Sequence, residues 1–170
     1  MGHDWSMLKY VPEFVEFFYG FVVSKDGMAL QHIFNPTDEV VKSAVQQNGL
    51  AIQFVRNITE EVAWLAIRQD ANALKYIDNV TEEMIEYAVS KNGFCLKYVK
   101  NQTETIIEKA VQQCGNALQF AHFQNSEIAR LAVMQNPFAI RFVSLPTYEL
   151  KQLAIDLDPQ VEQYISVYGS

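Results

Sequence analysis

Apolar residues recur along the chain with a period of 22 residues. An alanine followed by a β-branched residue returns at this interval without insertion, as Ala44-Val45, Ala66-Ile67, Ala88-Val89, Ala110-Val111, Ala132-Val133 and Ala154-Ile155. Within each unit the apolar residues are three or four positions apart, which is the spacing of one face of a helix. A fixed period of this length is typical of proteins built from tandem structural repeats.

Each unit is predicted to form two helices. A threonine such as Thr59 opens the unit and is a good N-cap, and the acidic residues after it, Glu60 and Glu61, suit the positive end of a helix dipole. We expect the first helix to end at glycines such as Gly49 and Gly93, in the left-handed conformation common at helix C-termini. In later units a proline such as Pro137 is expected to end the helix differently, because it has no N–H to donate. The second helix, of about two turns, carries an aromatic residue.

One unit alone cannot bury a sufficient core, so the units must stack. The sequence therefore predicts an all-α fold, an α-solenoid of about seven 22-residue two-helix repeats preceded by an N-terminal half-repeat around Leu8. We expect residues 1–6 to be an N-terminal tail or tag and residues 7–168 to form a single repeat domain. Glu162 stands at a core position of the last unit, as expected for a terminal repeat that faces water.

Residues 88–99 carry the most complete copy of the pattern. They read Ala-Val-Ser-Lys-Asn-Gly-Phe-Cys-Leu-Lys-Tyr-Val, which resembles the signature A-V-x-x-N-G-x-A-L-x-Y-V of a tandem 22-residue α-helical repeat family of unknown function. That family occurs in bacteria, protists, phages and giant viruses. Ala71 and Pro137 depart from the signature at its glycine. The resemblance implies a repeat fold and no activity, and it favours a viral or microbial protein that acts on host proteins.

The net charge limits the possible partners of the protein, and the cysteines bear on its location in the cell. A net charge of −7 disfavours direct binding of nucleic acid or of an anionic membrane, and no apolar run is long enough to span a bilayer. Cys95 and Cys114 are expected to be reduced, which favours a cytoplasmic location. A protein partner is therefore expected.

The sequence contains no recognisable enzyme signature. His3, His32 and His122 lack the spacing of metal ligands, and neither a phosphate-binding loop nor a nucleophile elbow is present. We therefore expect no enzymatic activity, no cofactor, and no catalytic, cofactor-binding or metal-binding residues.

Two rows of long, neutral or basic side chains are the candidate partner-binding residues. The second-helix row is Gln53, Lys75, Lys97, Gln119 and Arg141, and the first-helix row is Gln69, Lys91 and Gln113. We expect a non-catalytic protein-interaction module that binds an acidic or polar partner through these rows. An equally weighted explanation is that they complement the helix C-terminal dipoles and keep the surface soluble.

Other functions stay open at this point. Acidic residues recur at the helix starts: Glu16, Asp38, Glu39, Glu60, Glu61, Glu82, Glu83, Glu104, Glu127 and Glu149. They would suit an acidic inhibitor that mimics nucleic acid and blocks a basic or defence protein, although helix dipoles also explain them. Aromatic residues also recur once per repeat on the second helix. We expect this column of aromatic residues to pack in the core, in preference to forming a surface on which nucleic-acid bases stack. A small-ligand binder, an enzyme with a pocket formed between repeats, and a structural spacer are the remaining alternatives.

Overall fold

The computed structural model describes the backbone of residues 11–168 and the side chains of residues 15–165. Over this range the chain is all-α, and its fold is an α-solenoid of 22-residue repeats, as the sequence predicts. The predicted tail over residues 1–6 and the predicted half-repeat around Leu8 lie outside the described residues.

Five consecutive repeats, over residues 38–142, each pair a ten-residue α-helix with a six-residue 3₁₀ helix. The α-helices are α1 Val11–Lys25, α2 Asp38–Gln47, α3 Glu60–Gln69, α4 Glu82–Lys91, α5 Glu104–Gln113, α6 Ser126–Gln135, α7 Tyr148–Leu157 and α8 Glu162–Tyr168. The 3₁₀ helices are η1 Gly27–His32, η2 Gly49–Phe54, η3 Ala71–Tyr76, η4 Gly93–Tyr98, η5 Gly115–Phe120, η6 Pro137–Phe142 and the shorter η7 Pro159–Val161. The predicted second helix thus exists in every repeat from η1 to η6, in the tighter 3₁₀ form.

The helices α2 to α7 begin where the sequence predicts, whereas α1 begins at Val11, so the prediction that Glu16 stands at a helix start is wrong. The hydroxyl oxygen of Thr59 accepts the N–H of Val62 at 3.3 Å, and Thr81, Thr103, Asn125 and Thr147 cap their helices in the same way. Thr37 is the exception, since its hydroxyl donates instead to Glu16 at 2.8 Å. These caps satisfy backbone donors that a helix start leaves without partners.

The prediction that the glycines end the helices in a left-handed conformation is wrong. No described glycine has a positive φ, and α2 ends at Asn48 in an extended conformation (φ −147°, ψ 109°). Asn136 ends α6 before Pro137 with the same backbone angles, so the helices end alike before glycine and before proline. Glycine is needed for space instead, because a Cβ on Gly49 would lie 2.5 Å from the carbonyl oxygen of Ala66 in the next repeat.

The chain divides into two compact units, Met1–Asn79 and Val80–Ser170. In the first unit α2 packs against α1 and α3, and in the second α5 packs against α4 and α6. The recurring alanines, such as Ala44 and Ala110, are fully buried at these junctions. The single domain expected over residues 7–168 stays a prediction. Among the described helices, none combines the length and apolar character that crossing a membrane requires.

Candidate functional site

The five residues of the second-helix row are exposed and occupy one position of successive repeats. Each is the fifth residue of its 3₁₀ helix. Gln53 and Lys75 lie in the first unit, whereas Lys97, Gln119 and Arg141 lie in the second. Because the repeats carry no insertion, the row residues within one unit are 22 positions apart, one in each repeat.

The basic members of the row lie over aromatic rings. The Nζ atoms of Lys75 and Lys97 are 4.4 Å and 4.8 Å from the ring centroids of Tyr76 and Tyr98. The guanidinium carbon of Arg141 is 4.7 Å from the ring centroid of Phe142. Cation–π attraction therefore holds these charges against a half-buried ring while the side chains stay exposed.

The glutamines of the same row are fixed in another way. The side-chain amides of Gln53 and Gln119 donate to the carbonyl oxygens of Leu50 and Asn116, each at 2.9 Å, within their own 3₁₀ helices. Every member of the second-helix row is thus held by a local contact that leaves it open to solvent.

The first-helix row has a different environment. The Oε1 atom of Gln69 accepts the N–H of Gly49 at 2.5 Å, and its amide nitrogen donates to the carbonyl oxygen of Gln47 at 3.4 Å. The Oε1 atom of Gln113 likewise accepts the N–H of Gly93 at 2.6 Å. These amides connect consecutive repeats, a structural role that the sequence reasoning missed.

A pairing in the sequence could have revealed this role. Gly27, Gly49, Gly93 and Gly115 each have a glutamine 20 residues later, at Gln47, Gln69, Gln113 and Gln135. Pro137 has no N–H to donate, and Leu157 stands at the glutamine position. Lys91, 20 residues after Ala71, lies with its Nζ atom 5.4 Å from the Tyr87 ring centroid. That Gln69, Lys91 and Gln113 bind a partner stays a prediction.

The acidic residues at the helix starts are exposed, and their contacts are those of helix termini and helix pairs. Hydrogen bonds with its own backbone N–H and with the Thr147 hydroxyl hold the pKa of Glu149 below its usual value. The Nζ atom of Lys42 on α2 donates a hydrogen bond to the Oε2 atom of Glu61 on α3 at 2.8 Å. This hydrogen bond raises the pKa of Lys42. Glu86 pairs with Lys109 at 2.7 Å across α4 and α5. The Glu149 contacts are those of a helix start, whereas the pairs of Glu61 and Glu86 each join two neighbouring helices.

The described histidines lie on the surface, and the aromatic column lies at the edge of the core. His32 and His122 are exposed, and no group of His, Cys, Asp or Glu side chains among the described residues could hold a metal ion. The aromatic residues from Phe54 to Phe142 are half-buried at the edge of the core. Phe94 supports the column through an edge-to-face contact with Phe120, with the ring centroids 5.9 Å apart.

A cavity of about 380 Å³ lies in the second unit beside Arg141. Its apolar wall includes Ile140 and Ile165, and Lys151 adds a second cation. The sequence reasoning did not identify Lys151 or the neighbouring Pro146 as site residues. Lys151 departs from the apolar residues at its position in the two preceding repeats, Ile107 and Ala129, and this departure is a signal present in the sequence.

One family model matches four overlapping segments of the chain. The model, described as Domain of unknown function (DUF4116), matches residues 37–80, 59–104, 81–124 and 103–151, which together cover more than half of the 170 residues. No curated protein and no solved structure shows significant similarity to the chain.

Proposed function

The chain belongs to the family described as Domain of unknown function (DUF4116), and from this premise we propose that it is a non-catalytic protein-interaction module. Its second-helix row binds an acidic or polar surface of a partner protein. The family supplies the repeat fold and no activity, so the proposal depends on the surface that the repeats present.

The proposal depends on one observation, which is that two cations of the second-helix row are exposed and are not neutralised by a described acidic residue. Lys97 and Arg141 are exposed, rest on aromatic rings, and make no ion pair with any described residue. They stand in a protein whose net charge is −7. A side chain already held in place loses less conformational entropy on binding. An unneutralised cation also attracts a complementary acidic surface.

The proposal also includes a cytoplasmic location and, given where the resembling repeats occur, a partner from a host cell. Cys95 is buried and Cys114 is half-buried, and neither forms a disulfide bond with a described residue. Cysteines outside disulfide bonds suit the reducing conditions of the cytoplasm.

The test is a double charge reversal, Lys97→Glu with Arg141→Glu. The control variant combines Lys100→Glu with Arg130→Glu, which changes the net charge equally at exposed residues outside the second-helix row. Wild type and both variants, immobilised, are exposed to lysate of the organism that encodes the chain and of its host, and retained proteins are quantified by mass spectrometry. Circular dichroism checks that all three are folded.

We expect at least one protein to be retained by both the wild type and the control variant. The variant with Lys97→Glu and Arg141→Glu should retain about tenfold less of this protein, since each hydrogen bond to a charged group is worth about 1.5–3 kcal/mol. A protein retained equally by all three would show that the row does not bind it. Equal loss in both variants would indicate a general effect of charge. Displacement of the retained protein by DNA would support the acidic-inhibitor alternative.

A further inference from the structure

Two asparagines of the chain are followed directly by a glycine, in the sequences Asn48-Gly49 and Asn92-Gly93. Each asparagine ends an α-helix, and its side-chain oxygen accepts an N–H two residues later, at the start of the 3₁₀ helix. The first pair lies in the first unit and the second pair in the second unit. In such a sequence the backbone can react with the side chain, because glycine has no side chain to hinder the approach.

The reaction converts the asparagine amide to a carboxylate in two steps. In the first step the glycine nitrogen loses its proton and forms a bond to the Cγ atom of the asparagine, and the bond from Cγ to Nδ2 breaks. Ammonia leaves, with the proton from the glycine as its third hydrogen, and a succinimide ring remains. Water then opens the ring at either of its two carbonyl carbons, which gives aspartate or isoaspartate. The reaction needs no reagent other than water.

In the folded chain the two glycine nitrogens are not available for this attack. Gly49 and Gly93 are buried, and their N–H groups donate to the Oε1 atoms of Gln69 at 2.5 Å and of Gln113 at 2.6 Å. Solvent base must remove the proton before the nitrogen can attack, and it reaches a buried, hydrogen-bonded N–H only when the local structure opens. The conversion therefore depends on the same opening as exchange of the glycine amide hydrogen.

The hydrogen bond that protects each glycine comes from the next repeat. Gln69 lies at the end of α3, whereas Gly49 lies at the start of η2. A Cβ at Gly49 would lie 2.5 Å from the carbonyl oxygen of Ala66, so the backbones of the two repeats are in close contact at this point. Separation of the two repeats is thus what exposes the glycine nitrogen to water.

The two products affect the junction differently. Aspartate keeps the cap, since Asp26 and Asp70 accept the corresponding N–H in their own repeats at 3.0 Å and 2.8 Å. Isoaspartate adds one carbon to the main chain between the α-helix and the 3₁₀ helix. That longer connection does not fit the close contact between Gly49 and Ala66.

We propose that Asn48 and Asn92 are sites of spontaneous modification to aspartate or isoaspartate, and that opening of the junction with the next repeat controls the reaction. Gln69 protects Asn48, and Gln113 protects Asn92. Each conversion adds one negative charge to a protein whose net charge is −7. The proposal is independent of the proposed function, because neither asparagine belongs to the two candidate binding rows.

Asn136 is a reference site within the same chain. It ends α6 and caps η6 with the same backbone angles as Asn48, and its side chain accepts the N–H of Phe138 at 3.1 Å. The residue after it is Pro137, whose nitrogen carries no proton to lose. Asn136 should therefore stay unmodified under conditions that convert Asn48 and Asn92.

The test uses the full chain as wild type, Gln69→Ala and Gln113→Ala. All three are kept in mildly alkaline buffer, and peptide mapping by mass spectrometry follows conversion at each asparagine. Gln69→Ala should speed the conversion of Asn48 about tenfold or more and leave Asn92 unchanged, and Gln113→Ala should do the reverse. Each variant is thus the matched control of the other, and circular dichroism checks that both are folded.

A second measurement needs only the wild type, so it does not depend on a variant that folds. Urea added below the unfolding transition should raise the exchange rate of the Gly49 amide hydrogen and the conversion rate of Asn48 by the same factor, because both need the same opening. Different factors would overturn the proposal. So would equal acceleration at both asparagines in a folded Gln69→Ala variant, no acceleration in it, or conversion of the folded wild type as fast as that of the urea-unfolded chain.

Discussion

At the scale of single residues, the junction between repeats depends on a glycine and a glutamine. The N–H of buried Gly93 donates to Gln113, and the close carbonyl oxygen of Ala110 leaves no room for a side chain at Gly93. The glycine therefore lets two backbones approach, and the glutamine supplies the acceptor that this approach would otherwise remove from the buried N–H.

Replacing Gln113 with alanine should destabilise the protein. The change leaves the buried N–H of Gly93 without an acceptor, which costs about 1–3 kcal/mol. Urea unfolding followed by circular dichroism measures the loss. Gln119→Ala is the control, since Gln119 is exposed and its change should stay within about 0.5 kcal/mol. Equal losses in the two variants would contradict the structural role of the first-helix glutamines.

At the scale of elements, each 3₁₀ helix depends on the cap at its start. The side chains of Asn48, Asn92 and Asn136 each accept an N–H two residues later. Cys114 occupies the same position before η5 and makes no such bond. The Oδ1 atom of Asn116, two residues later, is buried and has no hydrogen-bond partner among the described residues. The start of η5 is therefore less well satisfied than the others.

Cys114→Asp should raise the free energy of unfolding by about 1 kcal/mol, because it restores the cap. Asp70 in the first unit is the precedent, since its carboxylate accepts both the backbone N–H and the side-chain amide of Asn72, at 2.8 Å and 2.9 Å. Cys114→Ala is the control that removes the thiol without adding an acceptor. A thermal melt that shows no gain of the aspartate variant over the alanine variant would refute the prediction.

At the scale of the whole molecule, stability comes from contacts between neighbouring repeats. In the second unit α5 contacts α4 and α6, and η5 contacts η4 and η6. Repeat arrays of this kind behave as one-dimensional chains of coupled units. Changes that respect the 22-residue period should therefore be tolerated, and changes that break it should not.

Deleting residues 104–125 removes one full period and joins Thr103 to Ser126. Thr103 then stands where Asn125 capped α6, and Gly93 lies 20 residues before Gln135, so the variant should fold with lower resistance to urea. Deleting residues 104–114 removes half a period and should abolish cooperative unfolding. Far-ultraviolet circular dichroism and urea titration compare the two. Similar behaviour of both deletions would show that the repeat period does not govern the fold.

The amino-acid sequence was sufficient to establish the repeat, the helix starts and the exposed second-helix row. These features depend on hydrogen bonds and apolar spacing within about 22 residues. Thr59, for example, caps its helix by accepting an N–H only three residues away. The 22-residue period also places equivalent residues in rows, so the exposed position of Lys97 and Arg141 follows from any one repeat.

The packing of one repeat on the next settled the remaining features. A period shows that Gly49 and Gln69 recur, but it does not show that their atoms meet 20 residues apart. The left-handed glycines were wrongly predicted for that reason, since the need for glycine comes from the carbonyl oxygen of Ala66 in the neighbouring repeat. The cavity beside Arg141 is likewise formed by residues of more than one repeat, from Ile140 to Ile165. Contacts between repeats depend on the relative placement of two backbones, which hydrophobic spacing within one repeat does not specify.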